Sequence, residues 1–381
     1  MEYVFWISLI ALYYIYDGYF RVLKILHFFM PHYLEPFNKG YSLPKVTVLL
    51  TVFNEKHIVQ RRIENIQKCD YPVALVEILV ASDGSTDGTD DIVNAMTGTN
   101  IRLFRPNRRI GKTDTQNQAI AVATGEIIVF TDADTSFDKL FLHNMVKYFS
   151  DPNAGGVDGH LLFLTEEASG VSQAQGYYWN SELNLRQLES RLGFLAVASG
   201  ACLAIRRRLF KTMEAAYGED CIVPLDIVSQ GYRMVHASDA IAYDRMEYDP
   251  RKEFKTRVRM TLRNVQGTLS RKPLLNPRRH PGYAFSLWSH KLLRWLSPLF
   301  LIVATIIGFM ESSQGWTFSI ISALFAVAYG MGVLGWLAER FHWRIPMVRI
   351  VFSFFLVNCG FLVGLLKAAL GHGITAYRHE S

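Results

Sequence analysis

Gly125-Glu126-Ile127-Ile128-Val129-Phe130-Thr131-Asp132-Ala133-Asp134 is the stretch whose reading decides the fold. Ile127 to Phe130 is an unbroken apolar run behind a helix-to-strand turn at Gly125-Glu126. It reads as a strand buried on both faces, as in a parallel sheet. Just past it stand two carboxylates, Asp132 and Asp134, separated by one small residue. In open α/β sheets, ligands bind outside the carboxyl ends of the strands. A carboxylate pair there can hold a divalent cation whose other ligands are phosphate oxygens. Taken alone, the same pair also reads as a turn with solvated acids.

Working outward, Val46 to Val52 is a β-branched apolar run bounded by Pro44 and Asn54. Val76 to Ala81 is a second strand, closed by Asp83-Gly84-Ser85, and Ile101 to Phe104 is a third. Helical patterns at Ile58 to Gln67 and Asp114 to Ala123 lie between strands. This alternation predicts an α/β domain with a mostly parallel sheet from Leu43 to Tyr243. Asp83, Asp132 and Asp134 then all fall at strand ends. The run Asp83 to Thr89 is rich in helix-capping residues, a role compatible with ligand binding by Asp83.

Composition limits the function classes. Of 381 residues, 50% are hydrophobic and 19% charged, below the usual charged share of about 25% for a soluble globular domain. A soluble domain joined to membrane segments fits that mixture. The net charge of +6 fits cytoplasmic membrane flanks, with attraction for anionic substrates or lipids second. No basic stripe dominates the chain, so no nucleic-acid partner is expected. The four cysteines, Cys69, Cys202, Cys221 and Cys359, have no CxxC spacing, so neither a zinc site nor a disulfide framework is expected. No GxGxxG follows the first strand, which sets aside a dinucleotide dehydrogenase.

The ends of the chain read as membrane segments. Val4 to about Leu26 is an apolar run with Arg21 and Lys24 at its far end, without a basic start or Ala-x-Ala cleavage site. It predicts an uncleaved membrane helix over residues 1–28. A catalytic domain at 29–250 follows. Basic and amphipathic interface helices are expected at 251–296, with Leu287, Trp288, Leu292 and Trp295 interleaved with His290, Lys291 and Arg294. Three membrane helices are expected in 297–371 and a tail at 372–381. The loop from Glu339 to Arg349 carries Arg340, Arg344 and Arg349, whereas Glu311 to Gly315 carries no cation. The positive-inside rule then places the α/β domain in the cytoplasm.

Several segments in order resemble the inverting family 2 glycosyltransferases. Val46 to Glu55 is close to that family's opening strand with its Phe-Asn-Glu ending. Asp70-Tyr71-Pro72 is similar to a triplet common there. Ser82 to Asp87 resembles its DDGSTD motif, with Ser82 replacing the first Asp. Gly111-Lys112, Asn117, Ala119 and Gly125-Glu126 are similar to its GK…N…A…GE stretch, and Asp132-Ala133-Asp134 to its DxD. Ser199-Gly200-Ala201 with Arg206-Arg207 resembles the acceptor-side segment, and Glu219-Asp220 before Gly231-Tyr232-Arg233 resembles the ED…GYR block.

The resemblance implies a GT-A (nucleotide-diphospho-sugar transferase) domain and membrane helices like those of polysaccharide synthases. It implies a divalent cation, Mg²⁺ or Mn²⁺, on Asp134 and Asp132. Asn54, Glu55, Asp83, Lys112, Asp132 and Arg259 would bind the donor. Asp220, beside Glu219, would be the general base. The donor would be a nucleotide-diphosphate sugar, UDP-linked by family frequency, and the transferred group a hexosyl or N-acetylhexosaminyl unit. The acceptor would be a glycan or lipid-linked molecule at the cytoplasmic face of a bacterial inner membrane. The family's Gln-x-x-Arg-Trp motif is altered: Thr256 replaces Gln and Met260 replaces Trp around Arg259. Arg257, Arg259 and Arg263 also read as a basic helix against anionic lipid. Tyr177, Tyr178 and Trp179 read first as interfacial anchors and second as a platform that stacks on an acceptor sugar, and His236, His280, His290 and His342 as structural or interfacial. The competing functions are a polyprenyl-phosphate monoglycosyltransferase and, from another class, a non-catalytic nucleotide-sugar-binding membrane subunit.

Overall fold

The computed structural model describes residues 1–30, 41–96, 98, 100–164, 170–245, 249–343 and 345–373, with backbone alone for 170–175 and 177. Arg344 and the expected tail from 374 onward lie outside the described residues.

The apolar runs form strands β1 (Val46–Val52), β2 (Val76–Ser82), β3 (Ile101–Phe104) and β4 (Ile127–Thr131), joined by β5 (Ser136–Phe137), β6 (Ala154–Leu164), β7 (Leu203–Arg206) and β8 (Arg233–Arg245). They make one eight-stranded sheet in the order β3-β2-β1-β4-β7-β6-β8-β5. β1 to β4 pair in parallel, as do β6 and β8. β7 runs antiparallel to both β4 and β6, and β5 is antiparallel to β8. β1, β2 and β4 are buried at every position, so both faces must be apolar and no alternation shows in their sequence.

The helices are α1 (Glu2–Tyr13), α2 (Tyr19–Phe29), α3 (Val59–Gln67), α4 (Thr89–Ala95), α5 (Lys112–Val122), α6 (Phe141–Val146), α7 (Gly170–Leu192), α8 (Glu219–Ser229), α9 (Pro250–Ser270), α10 (Pro281–Ser286), α11 (Leu293–Met310), α12 (Trp316–Arg340) and α13 (Pro346–Ala369). Side chains alternate faces along a strand. Val46, Val48 and Leu50 of β1 pack with Ile63 and Ile66 of α3 and Phe141 of α6. Leu49 packs on the opposite face with Ala119 and Ile120 of α5 and Ile222 of α8. The sheet is thereby covered on both sides, and its carboxyl edge is left for ligands.

Three helices among the described residues are long and apolar enough to cross a membrane: Pro281–Met310, Trp316–Arg340 and Pro346–Ala369. The first begins at Pro281, so the amphipathic stretch from Ser286 to Leu296 is its opening half, with a π-helical segment at Leu287–Leu292. α1 and α2 are also joined by a π-helical segment, Tyr14–Gly18. The two wide turns meet where the Tyr14 hydroxyl lies 2.8 Å from Ser289 Oγ. Phe5 of α1 is fully buried in a cluster with Ala304, Ile307 and Phe318.

α9 starts at an Asp249 cap, whose side chain accepts from the Arg251 amide, with Pro250 in the first turn. It then packs along α13. A Cβ placed on Gly360 would lie 2.7 Å from Arg257 Cβ, and one on Gly364 would lie 2.6 Å from Thr261 Cβ. Two glycines one helical turn apart thus let α9 seat closely against α13. Gly364→Val is expected to lower stability by about 1–3 kcal/mol through overpacking. A lower thermal midpoint of the purified full chain, beside an unchanged Gly373→Val control, checks it.

Candidate active site

The ends of three strands, the first turn of α8 and one face of α9 border a single cleft of about 520 Å³. That volume is within the usual range for small-ligand sites. Glu55, Asp83, Lys112, Asp132, Asp134, Glu219, Asp220 and Arg259 all line it. Of the site residues predicted from sequence, Asn54 alone does not. It sits behind the wall at φ 57°, a conformation asparagine tolerates better than most residues. Its side-chain oxygen accepts from the Thr86 amide at 2.9 Å, and its own amide donates to Ser85 Oγ at 3.1 Å. Asn54 therefore ties the loop after β1 to the loop after β2.

Asp83 is 3% exposed. Its Oδ1 accepts from the amides of Ile110 and Gly111, both at 2.9 Å, and from Thr115 Oγ1 at 3.0 Å. Its Oδ2 accepts from the Gly111 amide at 3.1 Å, which leaves that oxygen capacity for another donor. Asp83 thus holds the segment before α5 against the sheet, and with it the position of Lys112.

Lys112 joins the two acidic parts of the cleft. Its Nζ lies 2.7 Å from Asp132 Oδ1 and 2.7 Å from Glu219 Oε1. Burial disfavours the Lys112 charge, but Asp132 and Glu219 outweigh it and raise the pKa above the ordinary lysine value. Burial likewise works against the Glu219 charge, and Lys112 outweighs it, so Glu219 sits below the usual carboxylate value. Asp220 goes the other way: burial and the neighbouring Glu219 charge push its pKa up, against the opposing pull of Arg263 and Lys112. Two adjacent carboxylates are thereby given opposite tendencies, a pattern typical of acid–base sites.

At the end of β4 the acids outnumber nearby cations. Burial, then Asp134, Asp87 and Asp132, raises the Glu55 pKa. Burial, then Asp134, pushes Asp244 up to about 7. Asp244 was not singled out from sequence, because the end of β8 reaches the DxD through the short antiparallel β5–β8 pairing, in which Ser136, two residues past Asp134, lies opposite Tyr243. No three His, Cys, Asp or Glu side chains among the described residues converge as a self-sufficient metal cage. A hard cation held by one or two carboxylates and completed by donor phosphates fits this donor set. Carboxylates that raise each other's proton affinity are stabilised by such a cation.

The opposite wall is aromatic and basic. Tyr178 and Trp179 both line the cleft, the placement that the sugar-stacking reading expects; the side chain of Tyr177 lies outside the described residues. Trp179 Nε1 donates to the Leu161 carbonyl at 2.6 Å, and its ring meets Phe163 edge-on at 5.1 Å. Arg294 Nη1 donates to the Tyr178 hydroxyl at 3.0 Å. Arg257, Arg259 and Arg263 of α9 line the cleft. Arg206 and Arg207 are engaged elsewhere, donating to the carbonyls of Phe149, Ala154 and Ala123. The Ser199-Gly200-Ala201 turn completes this wall. A Cβ on Gly200 would lie 2.7 Å from Glu219 Oε1, so only glycine lets the turn approach α8.

Residues 47–213 match the family model described as glycosyl transferase family 2. The chain carries a family 2 glycosyltransferase domain. The glycosyltransferase match begins in β1 and includes Asp83, Lys112, Asp132 and Asp134. The domain is similar to the Bacillus subtilis protein named "Probable glycosyltransferase YdaM", at 25% identity over 63% of this chain and 59% of that one. It is also similar to an N-acetylglucosaminyltransferase of Azorhizobium caulinodans, at 26% identity over 52% of this chain and 54% of that one. The matched parts span somewhat over half the length of these relatives. Among solved structures, the mannosyltransferase PcManGT from Pyrobaculum calidifontis, in complex with GDP-Man and Mn²⁺, aligns at a TM-score of 0.73 and 23% identity. The alignment covers 97% of this chain and 99% of that one. The fold is thus GT-A, and its likeness extends beyond the glycosyltransferase domain into the helices that follow.

Proposed function

We propose that this protein is an inverting glycosyltransferase that moves a hexosyl or N-acetylhexosaminyl group from a nucleotide-diphosphate sugar to a hydroxyl of a glycan or lipid-linked acceptor. The observation that carries the reading is Asp220: a carboxylate with raised proton affinity, in the cleft that also holds the DxD and Lys112. A hydroxyl acceptor needs its proton removed as it attacks, and a carboxylate of raised pKa is suited to that task. A polyprenyl phosphate would bring its own anionic nucleophile and need no such base, so the hydroxyl acceptor is preferred.

In this reading Asp134, with Asp132, holds the divalent cation, which when bound neutralises the departing diphosphate. Asp83 and Glu55 border the nucleotide end. Lys112 and Arg259 face the phosphates, where a guanidinium can fork onto two oxygens. Asp220 takes the acceptor proton, and Glu219, held by Lys112, keeps a negative charge beside it. α1 to α2 acts as a further membrane crossing beside the three apolar helices, supported by the burial of Phe5 against α11 and α12. The catalytic domain then faces the cytoplasm of a bacterial inner membrane, and the product is a cell-surface polysaccharide or glycolipid. A non-catalytic sugar-binding subunit would have no use for the Asp220 arrangement.

The test is incubation of membranes containing the full chain with labelled UDP- and GDP-sugars and Mn²⁺ or Mg²⁺. Label transfer from one donor, abolished by chelator, is the expected outcome. Absence of transfer from every donor, with intact protein, contradicts the reading. The pH profile adds a second check. Asp220 acts only when deprotonated, and its pKa is raised, so the acid limb of kcat lies above that of an unperturbed aspartate. Glu219→Gln removes a charge that raises it, and the limb moves to lower pH.

A further inference from the structure

A chain of buried ion pairs runs from the amino-terminal helix to the cleft wall. Tyr19 of α2 donates through its hydroxyl to Glu189 Oε1 at 2.7 Å. His290 lies between two carboxylates of α7, with Nδ1 2.9 Å from Glu189 Oε1 and Nε2 2.8 Å from Glu182 Oε2. His290 thus bridges the two carboxylates through its two ring nitrogens. Glu182 also accepts from Arg186 Nε at 3.1 Å and Arg294 Nη1 at 2.9 Å.

Arg186 continues the chain. Its Nη1 donates to Asp158 Oδ2 at 3.2 Å and to Ser199 Oγ at 2.9 Å. Asp158, fully buried, accepts the Ser199 amide at 2.8 Å and is joined by His236 Nδ1 at 2.9 Å. Ser199 is thus fixed by both backbone and side chain. The next residue, Gly200, closes against Glu219, whose neighbour is Asp220. His290, Glu182, Arg186 and Asp158 are 5% exposed or less. Buried ion pairs are weak contributors to stability compared with well-packed apolar groups, so this expenditure of charge calls for another role.

We propose that His290 and Glu182 are positioning residues, which set the Ser199–Ala201 wall beside Asp220 through Arg186 and Asp158, and that Tyr19 brings the docking of the amino-terminal helix into the same network. The inference rests on the proposed transfer reaction for its catalytic consequence, but not for its structural one. The network reaches the donor half of the cleft only at one remove, through Gly200 against Glu219 and the ion pair of Glu219 with Lys112. Loosening it therefore moves the acceptor wall, while Lys112 keeps its second anchor on Asp132 and the donor half holds.

The experiment compares the full chain in lipid nanodiscs with Tyr19→Phe, Glu182→Gln and His290→Gln. Two readouts are taken: amide hydrogen exchange, and transfer to acceptor against hydrolysis of donor by water. The expected result is faster exchange confined to residues 196–202 and their contacts, with β1 and β2 unchanged. Transfer falls by about a hundredfold for His290→Gln, since an ångström of misplacement can cost that much, while donor KM and hydrolysis hold. Tyr19→Phe keeps its ring in place and gives a smaller shift of the same kind, which covers the case in which His290→Gln does not fold. Unchanged exchange at 196–202 in the variants that fold overturns the proposal, as does a uniform rise across the chain, which marks a merely structural network. Exchange does not depend on turnover, so a wild-type chain inactive on every donor would refute the proposed reaction while the exchange comparison still decides the positioning role.

Discussion

Asp220→Asn is expected to lower glycosyl transfer by about 10²–10⁴-fold, the contribution of a positioned general base. The amide occupies nearly the same volume and can accept a hydrogen bond, but it cannot take the acceptor proton. Asp220 lines the cleft from the first turn of α8 and not from the strand ends that bear Asp83 and Asp134, so donor affinity should change little. Removing its charge also relieves repulsion with Glu219, which raises its pKa in the native protein. The variant should therefore be no less stable than wild type. The measurement is transfer kcat alongside donor affinity by calorimetry and the thermal midpoint. A loss of kcat with donor binding and folding retained is the signature. Equal loss of all three would assign Asp220 a structural role.

Asp134→Ala is expected to lower transfer on the order of 10²–10³-fold, comparable to removing one electrostatic stabiliser of the developing charge. Lys112 already occupies Asp132 Oδ1 at 2.7 Å, which gives Asp134 the larger share of cation binding in this account. Its removal also relieves Asp244, whose pKa of about 7 reflects burial first and Asp134 next. The check is a Mn²⁺ titration in the presence of nucleoside diphosphate. Weaker metal binding with nucleotide binding alone preserved is expected. Unchanged metal affinity would move the cation elsewhere in the cleft.

The parallel half of the sheet was legible because those strands are buried on both faces, and unbroken apolar runs mark them directly. The run Val46 to Val52 is β1, and Ile101 to Phe104 is β3. The acids at strand ends followed from the same reading, since chain direction and strand ends fix where ligands bind. The network around His290 was not legible. Its partners Glu182 and Tyr19 are 108 and 271 positions away in sequence, a separation on which no periodicity reports. Tyr178 and Trp179 were legible only as two alternatives, because whether an aromatic pair faces lipid or a cleft depends on which face of α7 the ion pairs turn inward. Asp244 carries no local signal at all, and the β5–β8 pairing, with Ser136 opposite Tyr243, brings it to the DxD. The seat of α9 was half legible, because Gly360 and Gly364 stand one turn apart in α13, but nothing local says which helix they receive.

The central claim is that one carboxylate activates one hydroxyl for a single displacement at the sugar carbon. The anomeric configuration of the newly formed linkage, read by proton NMR from an α-linked nucleotide donor, tests it most directly. A β-linked product is predicted. An α-linked product would contradict the assignment of Asp220 as the base in a one-step displacement.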